Sequence, residues 1–209
     1  MTFLLDVDTT IVIDGASNLE FNVPSKSFSG TVTLNAGDIT FEQPITLGSG
    51  SISSIIDTTS KLNINAAQIF PSGFSVTLRN QFTLDQQQAL TVGSFMLTGG
   101  TWNGDTTAAT TISSIGSVYG DALRYTATQN SPLTIQGRLE LEGTSTWNQV
   151  APVTLNGGTL NVTESSTFTS AIMNTPIIEP DQGIITLSGA SFSSPIDVTV
   201  QSGANITIN

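Results

Sequence analysis

A short alternating pattern recurs along the chain: an apolar residue, a threonine and a second apolar residue. Because successive side chains of a β-strand point to opposite faces, each triplet predicts a short strand with one buried face and one polar face. These triplets begin at Val32, Ile39, Ile45, Val76, Phe82, Leu90, Leu133, Val153, Ile185, Val198 and Ile206. The pattern predicts an all-β fold with few helices.

Small corners that contain glycine follow many of these strands. Residues 32–39, 45–52, 95–102 and 153–160 share this plan. Glycine and asparagine tolerate the positive φ that a sharp bend requires. Hairpin turns are mostly two residues long, whereas longer corners between similar strands are typical of a solenoid. We therefore predict a single-stranded right-handed parallel β-helix, with an antiparallel β-sandwich as the alternative.

The pattern is interrupted twice, but neither interruption has the composition of an interdomain linker. Residues 85–89 predict a tight loop or one helical turn. Residues 103–132 carry little strand alternation, so they predict a lateral loop or irregular region. Residues 1–209 are therefore predicted to form a single β-solenoid domain.

Composition narrows the chemistry. Only 10% of the residues are charged, the formal net charge is −11, and cysteine and histidine are absent. The five basic residues are scattered, which argues against a nucleic-acid partner. No apolar run reaches the ~18 residues of a membrane helix, so no membrane insertion is predicted. Thiol catalysis, Cys/His zinc sites and histidine triads are excluded, and no cofactor is predicted.

Acidic residues are grouped at three places in the sequence, and the first group is a candidate for calcium binding or polysaccharide cleavage. They are Asp6, Asp8 and Asp14; Glu140 and Glu142; and Glu179 and Asp181. The first group has no base nearby in sequence and predicts a solvated strand face. The second alternates with leucines on the face of Arg138, which predicts a guard against edge pairing. The third flanks Pro180 in a predicted loop. We assign no catalytic, cofactor-binding or metal residue, and predict that the chain is not an enzyme.

Two kinds of side chain could instead contact a ligand. Trp102 and Trp147 could stack on sugars, although a tryptophan in a repeated position is more often a core or corner plug. Outward threonines that align from coil to coil would form a hydroxyl array similar to that of β-solenoid ice-binding proteins. The pairs Thr31/Thr33 and Thr167/Thr169 give Thr-x-Thr, but most triplets contain a single threonine. The polar face of ordinary strands is therefore the simpler interpretation.

Two further sequence features concern modification and export. Asn161 and Asn205 each begin an N-glycosylation pattern. The first residues, Met1 to Asp6, lack the basic segment of a signal peptide. We expect either a chain made without a signal or a piece of a longer precursor.

Residues 145–162 resemble the passenger repeats of bacterial autotransporters and related β-helical adhesins. The segment sets Thr146-Trp147-Asn148 shortly before an apolar-Thr-Leu-Asn-Gly-Gly-Thr strand and corner at 153–159. A second Thr-Trp-Asn, at 101–103, follows a Gly-Gly corner instead. The resemblance implies a non-catalytic structural or adhesive segment of a bacterial cell-surface or secreted protein, within a longer chain or an assembly.

Three other functions remain open at this point. They are a phage or viral fibre or tailspike segment, a polysaccharide-active β-helix enzyme, and an ice-binding protein. The expected partners are further coils or copies of the chain at its ends, and a host surface or glycan. The expected location is extracellular or at the cell surface, or on a virion for the fibre alternative.

Overall fold

The computed structural model describes residues 9–24, 26–54, 59–105, 108–127, 132–148, 153–155, 159–163, 167–170, 177–181, 184–187, 197–198 and 205–208. Side chains are described within these ranges from Thr10 to Asn148, apart from Ala127, and again at 159–161. Strands account for all of the regular structure in these ranges.

The strands follow one another with short corners between them. In chain order they are β1 (Thr9–Ile13), β2 (Asn18–Phe21), β3 (Ser27–Leu34), β4 (Gly37–Phe41), β5 (Thr46–Ser54), β6 (Ser60–Ile64), β7 (Gln68–Ile69), β8 (Phe74–Gln86), β9 (Leu90–Gly104), β10 (Thr110–Asp121), β11 (Arg124–Ala127), β12 (Leu133–Ile135), β13 (Arg138–Glu142), β14 (Thr146–Asn148), β15 (Val153–Leu155), β16 (Thr159–Thr163), β17 (Thr167–Ser170), β18 (Ile177–Asp181), β19 (Ile184–Leu187), β20 (Asp197–Val198) and β21 (Asn205–Ile208).

Ladders between these strands build three stacked faces. Face 1 holds β1, 30–34, 50–54, 74–79, 94–98, 117–121, β13, β16, β18 and β20. Face 2 holds β2, β4, β6, 82–86, 100–104, β11, β14, β17, β19 and β21. Face 3 holds one ladder of 27–28 with 46–47 and a second of β7, 90–92, 110–112, β12 and β15; the Gln68 side chain bonds to Ile45 between the two.

Every ladder between the described strands is parallel, and residue i pairs with a residue roughly one coil later. A chain that returns to the same face in the same direction after each circuit is a β-solenoid, which confirms the predicted fold class. The antiparallel sandwich would need antiparallel pairs and is wrong for these strands. The triplets also behave as predicted: in 76–78, 82–84 and 90–92 the apolar residues are buried and the threonine is half-buried.

The predicted lateral loop is not what the structure shows for residues 108–127. β10 and β11 lie within this stretch and join the ladders of all three faces. The irregularity is confined to a register shift between Ile112 and Ser117. Asp85 and Gln86, expected in a loop or helical turn, lie in β8 instead, and only 87–89 form the corner.

Apolar side chains from the three faces fill one continuous core. Aromatic rings follow one another along it, because residues in register on successive coils stack above one another. Tyr125 pairs in register with both Trp102 and Trp147, and the rings of Tyr125 and Trp147 are stacked with centroids 3.8 Å apart. Both tryptophans are fully buried, which confirms their prediction as core residues.

Glycines occupy two of the corners for two different physical reasons. Between faces 1 and 2, Gly15, Gly37, Gly99 and Gly143 have positive φ, as do Asn80, Gln81 and Ala122. This left-handed bend is the role that the sequence predicts for corner glycines. Where face 3 turns into face 1, Gly93, Gly116 and Gly137 come directly before the paired residues Ser94, Ser117 and Arg138. There an added Cβ would overlap the backbone of the coil before it, so close packing requires glycine.

Candidate binding surface

Face 1 carries aligned hydroxyl side chains on its outer side. The outward positions of successive coils align in two columns parallel to the solenoid axis. The first column reads Thr10, Thr31, Ser51, Ser75, Ser94 and Ser117. The second reads Thr33, Ser53 and Thr77 over three of the same coils. We call these two columns the hydroxyl rows.

The hydroxyl rows are regular because the backbone beneath them is regular. Neighbouring coils lie ~4.8 Å apart, and residues i and i+2 of a strand lie about 6.6 Å apart. Thr31, Thr33, Ser53 and Thr77 are half-buried between their neighbours, and the branched threonine side chain has few χ1 rotamers. The rows therefore present hydroxyls at fixed positions on the outer side of the sheet.

The second row continues into two larger side chains. Met96 pairs in register with Thr77, and Tyr119 pairs with Met96. The Met96 side chain is 45% exposed and the Tyr119 ring is half-buried. Two largely apolar side chains, Met96 and Tyr119, therefore follow the hydroxyls of this row, and we call this pair the apolar step.

A cluster of charged groups lies beyond this step, on the next coils of face 1. The Tyr119 hydroxyl donates to Glu142 Oε2 at 2.6 Å, and this bond, together with partial burial and nearby carboxylates, raises the pKa of the phenol. The Arg138 guanidinium donates from Nε and Nη2 to the two oxygens of Glu140, both at 3.1 Å. Asn161 Nδ2 donates to Glu140 Oε1 at 3.2 Å. The glutamates therefore do share an outer face with Arg138, as predicted.

Face 2 differs because several of its outward polar groups bond to one another from coil to coil. Asn63 Nδ2 donates to Thr40 Oγ1 at 3.0 Å, and Thr40 Oγ1 donates to Asn18 Oδ1 at 3.2 Å. Lys61 Nζ lies 2.8 Å from Asp85 Oδ2, and their hydrogen bond raises the pKa of Lys61. These groups stabilise the stack and keep little hydrogen-bonding capacity for a ligand. In the described part of the chain, the hydroxyls of Thr31, Thr33, Ser51, Ser53, Ser75 and Thr77 form no comparable bonds.

The other acidic residues that the sequence singled out lie in different parts of the structure. Asp6 and Asp8 lie outside the described residues, while Asp14 is exposed and accepts a hydrogen bond from Asn35 Nδ2. Glu179 and Asp181 were predicted in a loop, but they lie in β18, in register with Asn161 and Thr163. A proline is accommodated in this strand at position 180.

The Thr-x-Thr pairs and the two N-glycosylation patterns also lie on different strands. Thr31 and Thr33 stand in the hydroxyl rows, and Thr167 and Thr169 lie in β17 on face 2. Asn161 is 7% exposed and its amide nitrogen donates to Glu140. An enzyme that glycosylates asparagine would therefore find this side chain buried in the folded chain. Asn205 begins β21.

An open depression lies at the corner between faces 1 and 2, lined by Gly15, Ser17, Gly37, Asp38 and Thr59. The described residues contain no group of three or more acidic side chains placed to hold a metal ion. They also include no helix with the length and apolar character needed to span a bilayer.

Sequence reasoning missed the serines of the hydroxyl rows and the Tyr119–Glu142 pair. The signal for the rows was present as Ser51-Ile52-Ser53 and Ser75-Val76-Thr77, which alternate just as the threonine triplets do. Comparison with known proteins adds no name to this surface: no protein-family model, curated protein or solved structure matches the chain.

Proposed function

We propose that the chain is a non-catalytic structural or adhesive segment of a cell-surface or secreted protein. The supporting observation is face 1, whose aligned hydroxyls are free of bonds to one another, while several outward polar groups of face 2 are paired. Adhesion between extended surfaces uses such a face, whereas catalysis on a small substrate uses a pocket that excludes water. The resemblance of residues 145–162 to adhesin repeats agrees with this proposal.

Adhesion is tested by coating particles with the folded protein. Coated particles are expected to bind bacterial or host cells above the level of particles coated with an unrelated acidic protein of similar charge. Binding equal to that of the acidic control would contradict the proposal. Charge matching matters because a net charge of −11 alone changes non-specific adhesion.

A polysaccharide-active enzyme is the second candidate, favoured by the charged cluster on face 1. Glu142 bonds to Tyr119, and Glu140 is fixed by Arg138 on the same face. Incubation with neutral and acidic polysaccharides, followed by measurement of new chain ends, tests this candidate. Release that Glu142→Gln abolishes and Glu20→Gln, an exposed glutamate on face 2, preserves would establish an enzyme and overturn the non-catalytic proposal.

A further inference from the structure

The hydroxyl rows are an ordered array of groups that can each donate and accept a hydrogen bond. The first row continues through six successive coils, from Thr10 to Ser117. At ~4.8 Å per coil, this row is about 24 Å long. Its length suits a linear partner that lies along the solenoid axis and repeats its own hydroxyls.

The apolar step beside the rows adds a second kind of contact. Met96 and Tyr119 continue the second row after Thr77 and stand next to Ser94 and Ser117 of the first. Sugar rings carry both hydroxyl groups and apolar C–H faces. A surface that places hydroxyls beside a thioether and an aromatic ring can contact both, since aromatic faces attract polarised hydrogens.

Charge restricts the kind of polymer. The hydroxyl rows contain no ionisable side chain. The carboxylate of Asp121 lies on the same coil as Ser117 and Tyr119, and those of Glu140 and Glu142 lie on the coil that follows. The whole chain carries a net charge of −11. An anionic polymer would be repelled both by this cluster and by the net charge, whereas a neutral polymer would not.

We propose that the hydroxyl rows, with Met96 and Tyr119, bind a neutral polysaccharide chain running along the solenoid axis. This inference rests on the proposed adhesive function and names its partner. The hydroxyls of Thr31, Thr33, Ser51, Ser53, Ser75 and Thr77 hydrogen-bond the sugar hydroxyls. Met96 and Tyr119 contact the apolar face of a ring, and the carboxylates exclude acidic polymers.

Affinity electrophoresis in native gels containing soluble glucans, mannans or galactans tests the inference. The test variant combines Thr33→Val, Ser53→Ala and Thr77→Val, which remove three hydroxyls with little change of shape. The matched control combines Thr91→Val, Thr111→Val and Thr134→Val, which removes an aligned threonine column from face 3. Circular dichroism and urea midpoints confirm that each variant is folded.

The wild-type chain and the face 3 control are expected to be retarded by at least one neutral polysaccharide. The face 1 variant is expected to bind about tenfold or more weakly. Polygalacturonate and alginate, as anionic probes, are expected to cause no retardation. Equal binding by both triple variants, or retardation by the anionic polymers alone, would overturn the inference.

Two outcomes separate this inference from the function on which it rests. Cell adhesion without any retardation by neutral polysaccharides would leave the adhesive proposal standing and overturn the named partner. Thermal hysteresis in place of retardation, lost in the face 1 variant and kept in the face 3 control, would assign the rows to ice and overturn the polysaccharide inference.

Discussion

Two buried glutamine side chains, Gln68 and Gln86, hydrogen-bond to groups that the backbone ladders leave without a partner. Gln68 accepts from the backbone nitrogen of Ile45 at 3.2 Å and donates to its carbonyl oxygen at 2.7 Å, as a strand residue would. Gln86 accepts from Trp102 Nε1 and Thr110 Oγ1, both at 3.0 Å, and donates to the Ala108 carbonyl oxygen. A buried polar group without a partner is costly, so each amide stabilises several groups at once.

Replacing Gln86 by leucine keeps the approximate volume and removes every one of these bonds. We expect Gln86→Leu to lower the free energy of unfolding by about 2–4 kcal/mol, because the indole nitrogen and the carbonyls lose their buried partner. Urea unfolding followed by circular dichroism measures this. Gln87→Leu is the matched control, since Gln87 is the exposed neighbour in sequence. Equal unfolding midpoints for the two variants would show that the buried amide contributes nothing.

The two tyrosines are expected to resist ionisation in the folded chain. Their ordinary pKa is 10.0; the bond to Glu142 raises the pKa of Tyr119, and burial raises that of Tyr125. Both folded pKa values lie above the unfolded value, so this contribution to stability is fully present below pH 10 and falls as the pH rises further. Tyrosinate absorbance should be small at pH 10.0 in the native protein and about half-maximal in urea. Superimposable titration curves would contradict this.

At the scale of elements, the glycine corners between faces 3 and 1 set how closely neighbouring coils pack. In the column of Gly93, Gly116 and Gly137, each residue lies against the corner backbone of an earlier coil. The alternation within strands decides which side chains are buried, but these corners decide how closely one coil approaches the next. Tight corners therefore stabilise the ladders on both sides of them.

A methyl group in this column should push two coils apart. We expect Gly137→Ala to destabilise the fold by about 1–3 kcal/mol, because the added Cβ overlaps the carbonyl oxygens of Gly116 and Ser113. Gly73→Ala is the control, since a Cβ there would have no atom within 4 Å and its φ is not in the left-handed region. Thermal unfolding compares the two variants. A loss in Gly73→Ala as large as that in Gly137→Ala would refute the overlap as the cause.

The alternating pattern of the sequence predicts some strands of this fold and misses others. Alternation identified the strands of 76–78, 82–84 and 90–92, since burial follows a period of two. It failed at 118–121, where Gly120 takes an inner position and Tyr119 an outer one, so the apolar pattern is lost. The glycines at corners were predicted for their φ, but the steric role of Gly137 depends on a coil about 20 residues away.

The binding surface was less predictable because it depends on register between coils. Ser53 and Thr77 are 24 residues apart and Thr77 and Met96 only 19, yet all three stand in one row. Variable corner lengths hide this alignment from any fixed sequence period. The Tyr119–Glu142 contact was missed for the same reason.

At the scale of the whole molecule, each coil forms its ladders with the coils directly before and after it. Among the described strands, β1 has one ladder partner, β3, and β2 has one, β4. Strand edges without a second partner can pair with another chain. Self-association or continuation through terminal coils stays a prediction.

Self-association is expected to strengthen with salt. A net charge of −11 makes copies repel one another, and ions screen that repulsion beyond a Debye length of ~10 Å at 0.1 M. Sedimentation velocity over a wide concentration range, at low and high salt, measures this. A monomer under every condition would show the prediction to be wrong. A stable trimer independent of salt would favour the fibre alternative.

Parallel stacking also makes the length of this protein change in whole circuits. Gln68, Leu90 and Thr110 occupy equivalent places on successive circuits, so excising 90–109 would join chain segments that remain in phase. Excising a single residue inside a strand would instead exchange inner and outer side chains for the rest of that strand. Duplication or loss of one circuit is therefore the tolerated step. Each such step on face 1 would lengthen or shorten its outer surface by one rung.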